Sequence, residues 1–248
     1  IFLDWGLQVM TGGHREYGAK GRFGIGAPQA NPTVEPEFRT LLPDGVEGYT
    51  ARLFYASEDS KTRQVAYLRE LESYLERFDV LELDGFGFAM TGSSYWAGAE
   101  LEARRVEEIQ DRFGYPIITS AEATARTLNE LGLNRLRLIT PYPAELSAAA
   151  EAYWTSRGFQ VVGVDQVGQG HADTRSIYGL TSSDVAALLS ATDFGDAEVL
   201  LLSGTGLASL PVLTRAREFT DKILLSSNYC LARELLKIVG LKPTLDLV

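Results

Sequence analysis

YPIITSAEATARTLNELGL, Tyr115 to Leu133, and DKILLSSNYCLARELLKIVGL, Asp221 to Leu241, are two versions of one pattern. Each sets a short aliphatic run before a Ser-containing turn, then a helical stretch that carries Ala-Arg and ends in Gly-Leu. The runs upstream of them repeat as well. DGFGFAMTGSSYWAG, Asp84 to Gly98, runs into Met-Thr-Gly, and LLLSGTGLAS, Leu200 to Ser209, runs into Gly-Thr-Gly. Units that return in the same order predict a duplicated α/β fold with two pseudosymmetric halves.

The chain around these repeats fits that reading. From Gly21 onward short β-rich runs alternate with helical patterns, which predicts α/β architecture with mainly parallel sheets. Strands are expected over Phe23 to Ala27, Tyr49 to Tyr55, Val80 to Ala89, Pro116 to Thr119, Arg135 to Thr140, Phe159 to Val164, Glu198 to Ser203 and Lys222 to Ser226. Ser60 to Phe78 predicts a long helix with Val65, Leu68, Leu71, Tyr74 and Leu75 near one face, and Trp96 to Phe113 another around Leu101, Val106 and Ile109. Further helices are expected over Ala121 to Leu131, Pro143 to Arg157, Ser182 to Ala191, Ser209 to Glu218 and Asn228 to Val239.

The architecture expected is two doubly wound domains with a cleft between them. Residues 21–116 and 228–248 form the first half and 117–227 the second. Residues 1–20 stand outside the periodic pattern as an arm whose Phe2, Leu3 and Trp5 suit packing on the body or on another copy, which favours a homo-oligomer.

Composition narrows the partners. The 248 residues are 45% hydrophobic, ample for a packed core. Lys and Arg total 23 against 33 Asp and Glu, a formal charge of -10, so the electrostatic footprint of a nucleic-acid binder is missing. Cys230 is the only cysteine, cannot form an internal disulfide, and reads as a small buried residue on a helix in a reducing compartment. With His14 and His171 as the only histidines there is no zinc-like spacing, and no metal or cofactor is expected. The N-terminal IFLDWGLQV lacks the flanks of a signal peptide and no run approaches the roughly 20 apolar residues of a membrane span, so a cytoplasmic protein without membrane contact is expected.

In doubly wound folds ligands bind beyond the carboxyl ends of the strands. Asn31, Thr91, Tyr142, His171 and Thr205 all follow predicted strand ends. Thr91, Gly92, Ser93 and Ser94 combine hydroxyls with the amides of an expected helix N-terminus, a set that suits a carboxylate or an enolate-like oxyanion; the simpler reading is a helix cap with a glycine turn. Gly204, Thr205 and Gly206 repeat the pattern as a facing cradle. Asn31 in APQANPTVEPEF can orient a ligand or simply make an Asx turn. Tyr142 offers a phenolic hydroxyl, and His171, in the glycine-rich GQGHADTRSIYGL, a proton carrier near neutral pH or an exposed loop histidine.

At these residues the sequence resembles the aspartate/glutamate racemase superfamily, nearest its arylmalonate decarboxylase and maleate isomerase branch. PQANPTVEPE at Pro28 to Glu37, MTGSS at Met90 to Ser94, TPY at Thr140 to Tyr142, LLLSGTG at Leu200 to Gly206 and LLSSNYCLARELL near the C-terminus stand in that family's order. The resemblance implies a cofactor-independent enzyme acting on a small carboxylate between two pseudosymmetric domains. It implies that Asn31 lies near the substrate, that Thr91 and the next hydroxyl residue bind a carboxylate with Tyr142, and that the Thr205 loop supplies facing backbone donors. It also implies cysteines at two strand-end loops, where this chain has Met90 and either Gly204 or Thr205. Two-base racemisation needs an acid and a base on opposite faces, and nucleophilic isomerisation needs a thiolate or its equivalent. Methionine and glycine supply neither.

The first reading is therefore a lyase or isomerase that transforms a small organic acid through an anion-stabilising cleft, with Tyr142, Thr91 and His171 as the catalytic candidates. Two alternatives stand beside it. One is a non-catalytic sensor or binding protein for a small carboxylate. The other is a hydrolase of a small cyclic acid or amide built on Ser93, Ser94 and His171, although no G-x-S-x-G elbow is present.

Overall fold

The computed structural model describes residues 15–247. The first half alternates β1 (Gly21–Pro28), α1 (Val34–Leu41), β2 (Val46–Leu53), α2 (Ser60–Arg69), α3 (Leu71–Leu75), β3 (Gly85–Phe88), α4 (Thr91–Ala97), α5 (Ala99–Phe113) and β4 (Ile117–Thr119). After α6 (Ser120–Glu130), the second half runs β5 (Arg135–Thr140), α7 (Ala144–Ser156), β6 (Gln160–Gln166), α8 (Ser182–Ala191), β7 (Val199–Leu202), α9 (Leu210–Leu213), β8 (Ile223–Ser226) and α10 (Ser227–Ile238).

The two sheets have the same topology. One is ordered β2-β1-β3-β4 and the other β6-β5-β7-β8, with every pairing parallel. Helices cover both faces of such sheets, so their central strands become continuous apolar runs. VLLL in β7 and GFGF in β3 are buried at every position. The strand order reverses between β1 and β3 and again between β5 and β7, and a crevice opens beyond the carboxyl ends of strands at such points. Asn31 follows β1, Thr91 follows β3, Tyr142 follows β5 and Gly204 follows β7. Duplication thus aims four short loops at one place.

The quoted repeats occupy equivalent positions, β4 with α6 and β8 with α10. Their caps match: Thr119 accepts from the Glu122 amide and Ser226 from the Tyr229 amide. The two helices pack on each other, and α10 also touches α1 and β3. Cys230 is buried on α10, where desolvation pushes its thiol up to about 12.

Several expectations shift. The helix expected from Trp96 begins at Thr91, so the hydroxyl cluster is a first helical turn and not a loop. That helix and its successor are separate, broken at Gly98 with φ 76°. Ser60 to Phe78 likewise divides into α2, α3 and a 3-10 turn at Glu76–Phe78, and Val65 is 41% exposed, off the buried face. Leu101 is 50% exposed. The strand over Val80 to Ala89 contracts to β3, and Ser209 to Glu218 to the single turn of α9 followed by a 3-10 turn. The division drawn after residue 116 cuts through the first sheet, because β4 pairs with β3. Residues 1–14 of the expected arm lie outside the described residues; Arg15 is ion-paired to Asp84 at 2.8 Å. Among the described residues no helix is long and apolar enough to cross a membrane, and no group of three or more His, Cys, Asp or Glu side chains is placed to hold a metal.

Candidate active site

Beyond the switch points lies a small chamber of about 30 Å³. Pro28, Asn31, Met90, Tyr142 and the Gly204–Gly206 turn line it, together with Gln64, Thr174, Ile177 and Tyr178. The space is large enough to hold a water molecule. Beside it is a vestibule of about 470 Å³, a volume in the range of ligand sites. Chamber and vestibule share Pro28, Gln64, Met90, Thr174 and Tyr178, so these residues form the partition.

Asn31 is buried, and its Oδ1 accepts from the amides of Thr33 at 2.8 Å and Val34 at 3.2 Å. The Asx turn is real, but it uses only half of the side chain. The other half, Nδ2, is buried with no protein partner. An unmet buried donor costs about 1–3 kcal/mol, which makes this amide the most conspicuous polar group on the chamber wall.

Tyr142 is buried at the start of the loop after β5, its hydroxyl 2.5 Å from that of Thr91. Burial holds the phenol far above its ordinary pKa, with Tyr95 adding to the rise and the Thr91 hydrogen bond opposing it. Tyr142 is therefore a neutral hydroxyl and a donor to an anion, not a phenolate base. Facing it, Gly204 has φ 128°, a conformation that L side chains rarely adopt, and a Cβ there would lie 3.1 Å from the Tyr142 oxygen. A cysteine does not fit at this position without rearrangement.

The remaining hydroxyls are committed within the protein. Thr205 Oγ1 donates to the Ala89 carbonyl at 2.8 Å, and Ser93 Oγ to the Gln64 carbonyl at 2.6 Å. Ser94 Oγ is buried without a partner and does not line the chamber. Thr91, Gly92 and Ser93 do not line it either, because the side chains of Gln64 and Met90 stand over the first turn of α4. The structure thus brings together Asn31, Tyr142, Gly204, Thr205 and Gly206 and screens off Thr91, Gly92, Ser93 and Ser94. His171 is exposed and lines neither cavity, so it forms no catalytic pair with Ser93 or Ser94. Its loop contributes Thr174, Ile177 and Tyr178 instead.

Four residues that the sequence did not single out shape the site. Gln64 and Thr174 close the chamber, joined by a 2.9 Å hydrogen bond from Nε2 to Oγ1. Asn228 Nδ2 holds the Thr205 carbonyl at 3.1 Å and the Glu37 carboxyl at 2.7 Å. Glu37 also accepts from the amides of Ser209 and Leu210, so α1 fixes the segment that follows the Gly204–Gly206 turn. The ANPTVEPE and SSNY stretches contain Glu37 and Asn228, but nothing in their spacing signals that they meet.

Two parallel sheets of one topology, meeting at their switch points around a small polar chamber, define a class of two-domain α/β proteins. Residues 67–246 match the family described as arylmalonate decarboxylase, and the chain belongs to that family, on the arylmalonate decarboxylase and maleate isomerase branch of the aspartate/glutamate racemase superfamily. A maleate isomerase of Alcaligenes faecalis is 26% identical over 128 residues, 51% of this chain and 50% of that protein, so the match spans half the relative's length. The maleate isomerase of Pseudomonas putida, solved with maleate, superposes with a TM-score of 0.82 at 18% identity over 89% of this chain and 92% of that one. The Nocardia farcinica maleate cis-trans isomerase, solved as a mutant with a covalently bound succinylcysteine intermediate, gives 0.77 at 23% identity over 89% and 93%. At these identities the solved structures establish the fold.

Proposed function

We propose that the chain is a cofactor-independent enzyme of a small organic acid whose carboxylate head enters the chamber. The observation that carries this reading is the buried, unpartnered Nδ2 of Asn31 on the same wall system as the neutral Tyr142 hydroxyl. Both are donors, and the Gly204–Gly206 backbone faces them. A bond to the α-carbon would break heterolytically, its electron pair passing into the carboxylate as an enolate that these donors stabilise. Such chemistry covers decarboxylation, which releases a second carboxyl of the α-carbon as CO2 and then needs only a proton donor; isomerisation by loss and return of an α-proton would also need a base, which no side chain lining the chamber supplies. The decarboxylation needs no thiolate, in keeping with Met90 and either Gly204 or Thr205 where the resemblance implies cysteines, and with Cys230 buried on α10. With His171 away from the chamber, water is the proton carrier on this reading.

The maleate isomerases among the relatives support a small carboxylate as the ligand, and the succinylcysteine adduct belongs to a chemistry for which this chamber has no thiol. The test is proton NMR in deuterated water with malonates, unsaturated diacids, amino acids and simple monoacids. Turnover or α-deuteration that falls about 100-fold in Tyr142→Phe supports the enzyme, since the loss of one oxyanion donor typically costs that much. Turnover unchanged in both Tyr142→Phe and Asn31→Ala overturns it.

A second reading is favoured by the committed hydroxyls of Thr91, Ser93 and Thr205. A carboxylate-binding protein needs no acid or base. Saturable line broadening of an acid, abolished by Asn31→Ala and without exchange or turnover, selects it.

A further inference from the structure

Tyr67 of α2 and Tyr178 of the 3-10 turn Thr174–Gly179 stand on the vestibule wall, one from each half of the fold. Tyr67 is only 4% exposed, yet neither phenolic hydroxyl has a hydrogen-bond acceptor among the described residues, and neither is sealed from solvent as Asn31 Nδ2 is. Burial raises the pKa of both, with Tyr67 adding to the rise at Tyr178, so the two are neighbouring neutral hydroxyls. Arg63 lies beside Tyr67 and can only donate, which leaves the phenol's proton for an acceptor from outside the protein. Tyr55, a third phenol of the wall, is turned to Arg69, whose guanidinium lies 5.5 Å from its ring centroid. The Tyr178 ring is seated on the chamber turn, since a Cβ on Gly206 would lie 2.8 Å from its Cε1. The route from chamber to vestibule therefore runs along that ring. Charge decides which acceptor suits its far end. Arg63 is held by Asp173 at 3.1 Å, Arg175 by Asp173 at 2.7 Å and Glu58 at 3.2 Å, and Arg52 by Glu35 at 2.6 Å. Three cations meet three carboxylates, which leaves no surplus positive charge for an anion there.

We propose that Tyr67 and Tyr178 recognise an uncharged carbonyl oxygen remote from the acid head, so that the cleft takes acids with a polar tail. The inference rests on the reading of the chamber as a carboxylate site, and it holds whether the α-carbon carries one carboxyl or two. A tail that fills the vestibule strips water from both phenols. A carbonyl oxygen replaces the lost hydrogen bonds. A hydrocarbon of the same shape leaves the donors unmet, at a cost of about tenfold in affinity for each. A remote carboxylate gives up its hydration with no spare cation to compensate.

The experiment titrates two isosteric sets by calorimetry or ligand-observed NMR: levulinate, isocaproate and succinate, and the phenylacetates bearing para acetyl, isopropyl and carboxylate groups. In the set whose length reaches the phenols, the ketone is expected to bind about tenfold or more tighter than the hydrocarbon, and tighter than the diacid. Tyr67→Phe and Tyr178→Phe should each narrow the gap between ketone and hydrocarbon by weakening the ketone alone, and the double variant should close it. A hydrocarbon as tight as its ketone in both sets, a diacid tighter than its ketone in both sets, or a gap that survives the double variant would overturn the inference. Asn31→Ala separates the two levels. Acids that all need Asn31 but show no ketone preference in wild type overturn only the assignment of the tail. No acid bound by folded wild-type protein overturns the carboxylate site and this inference with it.

Discussion

At Gly204 the backbone itself argues against a thiol. Its φ of 128°, and the 3.1 Å that would separate a Cβ from the Tyr142 oxygen, make any side chain there a source of strain. Met90 differs: it precedes α4 in extended backbone, φ -150° and ψ 90°, which any residue adopts. Cysteine substitutions at the two positions should therefore behave unequally. Gly204→Cys is expected to lose about 1–3 kcal/mol, the scale of a strained backbone position, and Met90→Cys to lose stability only through the smaller side chain. Chemical denaturation of the two variants checks this, and equal stability would show that the turn relaxes freely. Tyr142 was legible from its place after β5, and so was the Asx turn of Asn31. The free Nδ2 was not, because which half of an amide is used depends on neighbours that the topology supplies.

The same division holds for elements. All eight strands were legible because buried parallel strands are short apolar runs, and VLLL or RLRLIT has few other readings. Helix ends were less so. Apolar spacing continues across Gly98 and Glu70, where the chain breaks between two helices, and only the tertiary path decides that. The contacts that assemble the site join elements remote in sequence, and Glu37 is the clearest case. From α1 it accepts bonds from Ser209 Oγ, the amides of Ser209 and Leu210, and Asn228 Nδ2, so it caps α9 across the cleft. Glu37→Gln replaces one acceptor oxygen with a donor that faces other donors. A loss of about 1–3 kcal/mol is expected, the cost of leaving buried groups unsatisfied. If the Gly204–Gly206 turn depends on this cap, carboxylate binding should weaken as well, and Glu37→Asp, which keeps the charge, should recover part of it. Stability lost with full affinity retained would confine Glu37 to holding α9.

Across the whole molecule the halves are tied by buried polar pairs as well as by apolar packing. Tyr95 meets Ser203 at 2.7 Å, Thr33 Oγ1 donates to the Gly206 carbonyl at 3.0 Å, and the Tyr153 hydroxyl donates to Glu102 Oε2 at 2.6 Å. The last tie has a pH signature. Burial raises the pKa of Glu102, and the hydrogen bond from Tyr153 only partly offsets it; burial raises that of Glu37 in the same sense. Between the ordinary glutamate value and the raised one, the folded state holds more protons than the unfolded state, so stability falls as pH rises through that window. Asp173 works in the opposite direction. Its hydrogen bond with Arg175 holds it at about 2, so its contribution is present above the ordinary aspartate value and fades as the medium becomes more acidic. Stability should therefore decline on both sides of the ordinary carboxylate range. Glu102→Gln keeps an acceptor for Tyr153 and removes the ionisable group, so its stability relative to wild type should improve steadily as pH rises from about 4.5 towards neutrality. Denaturation midpoints of both proteins across that range provide the measurement. A constant difference between them would mean that Glu102 titrates alike folded and unfolded, and that the tie to Tyr153 is indifferent to its charge.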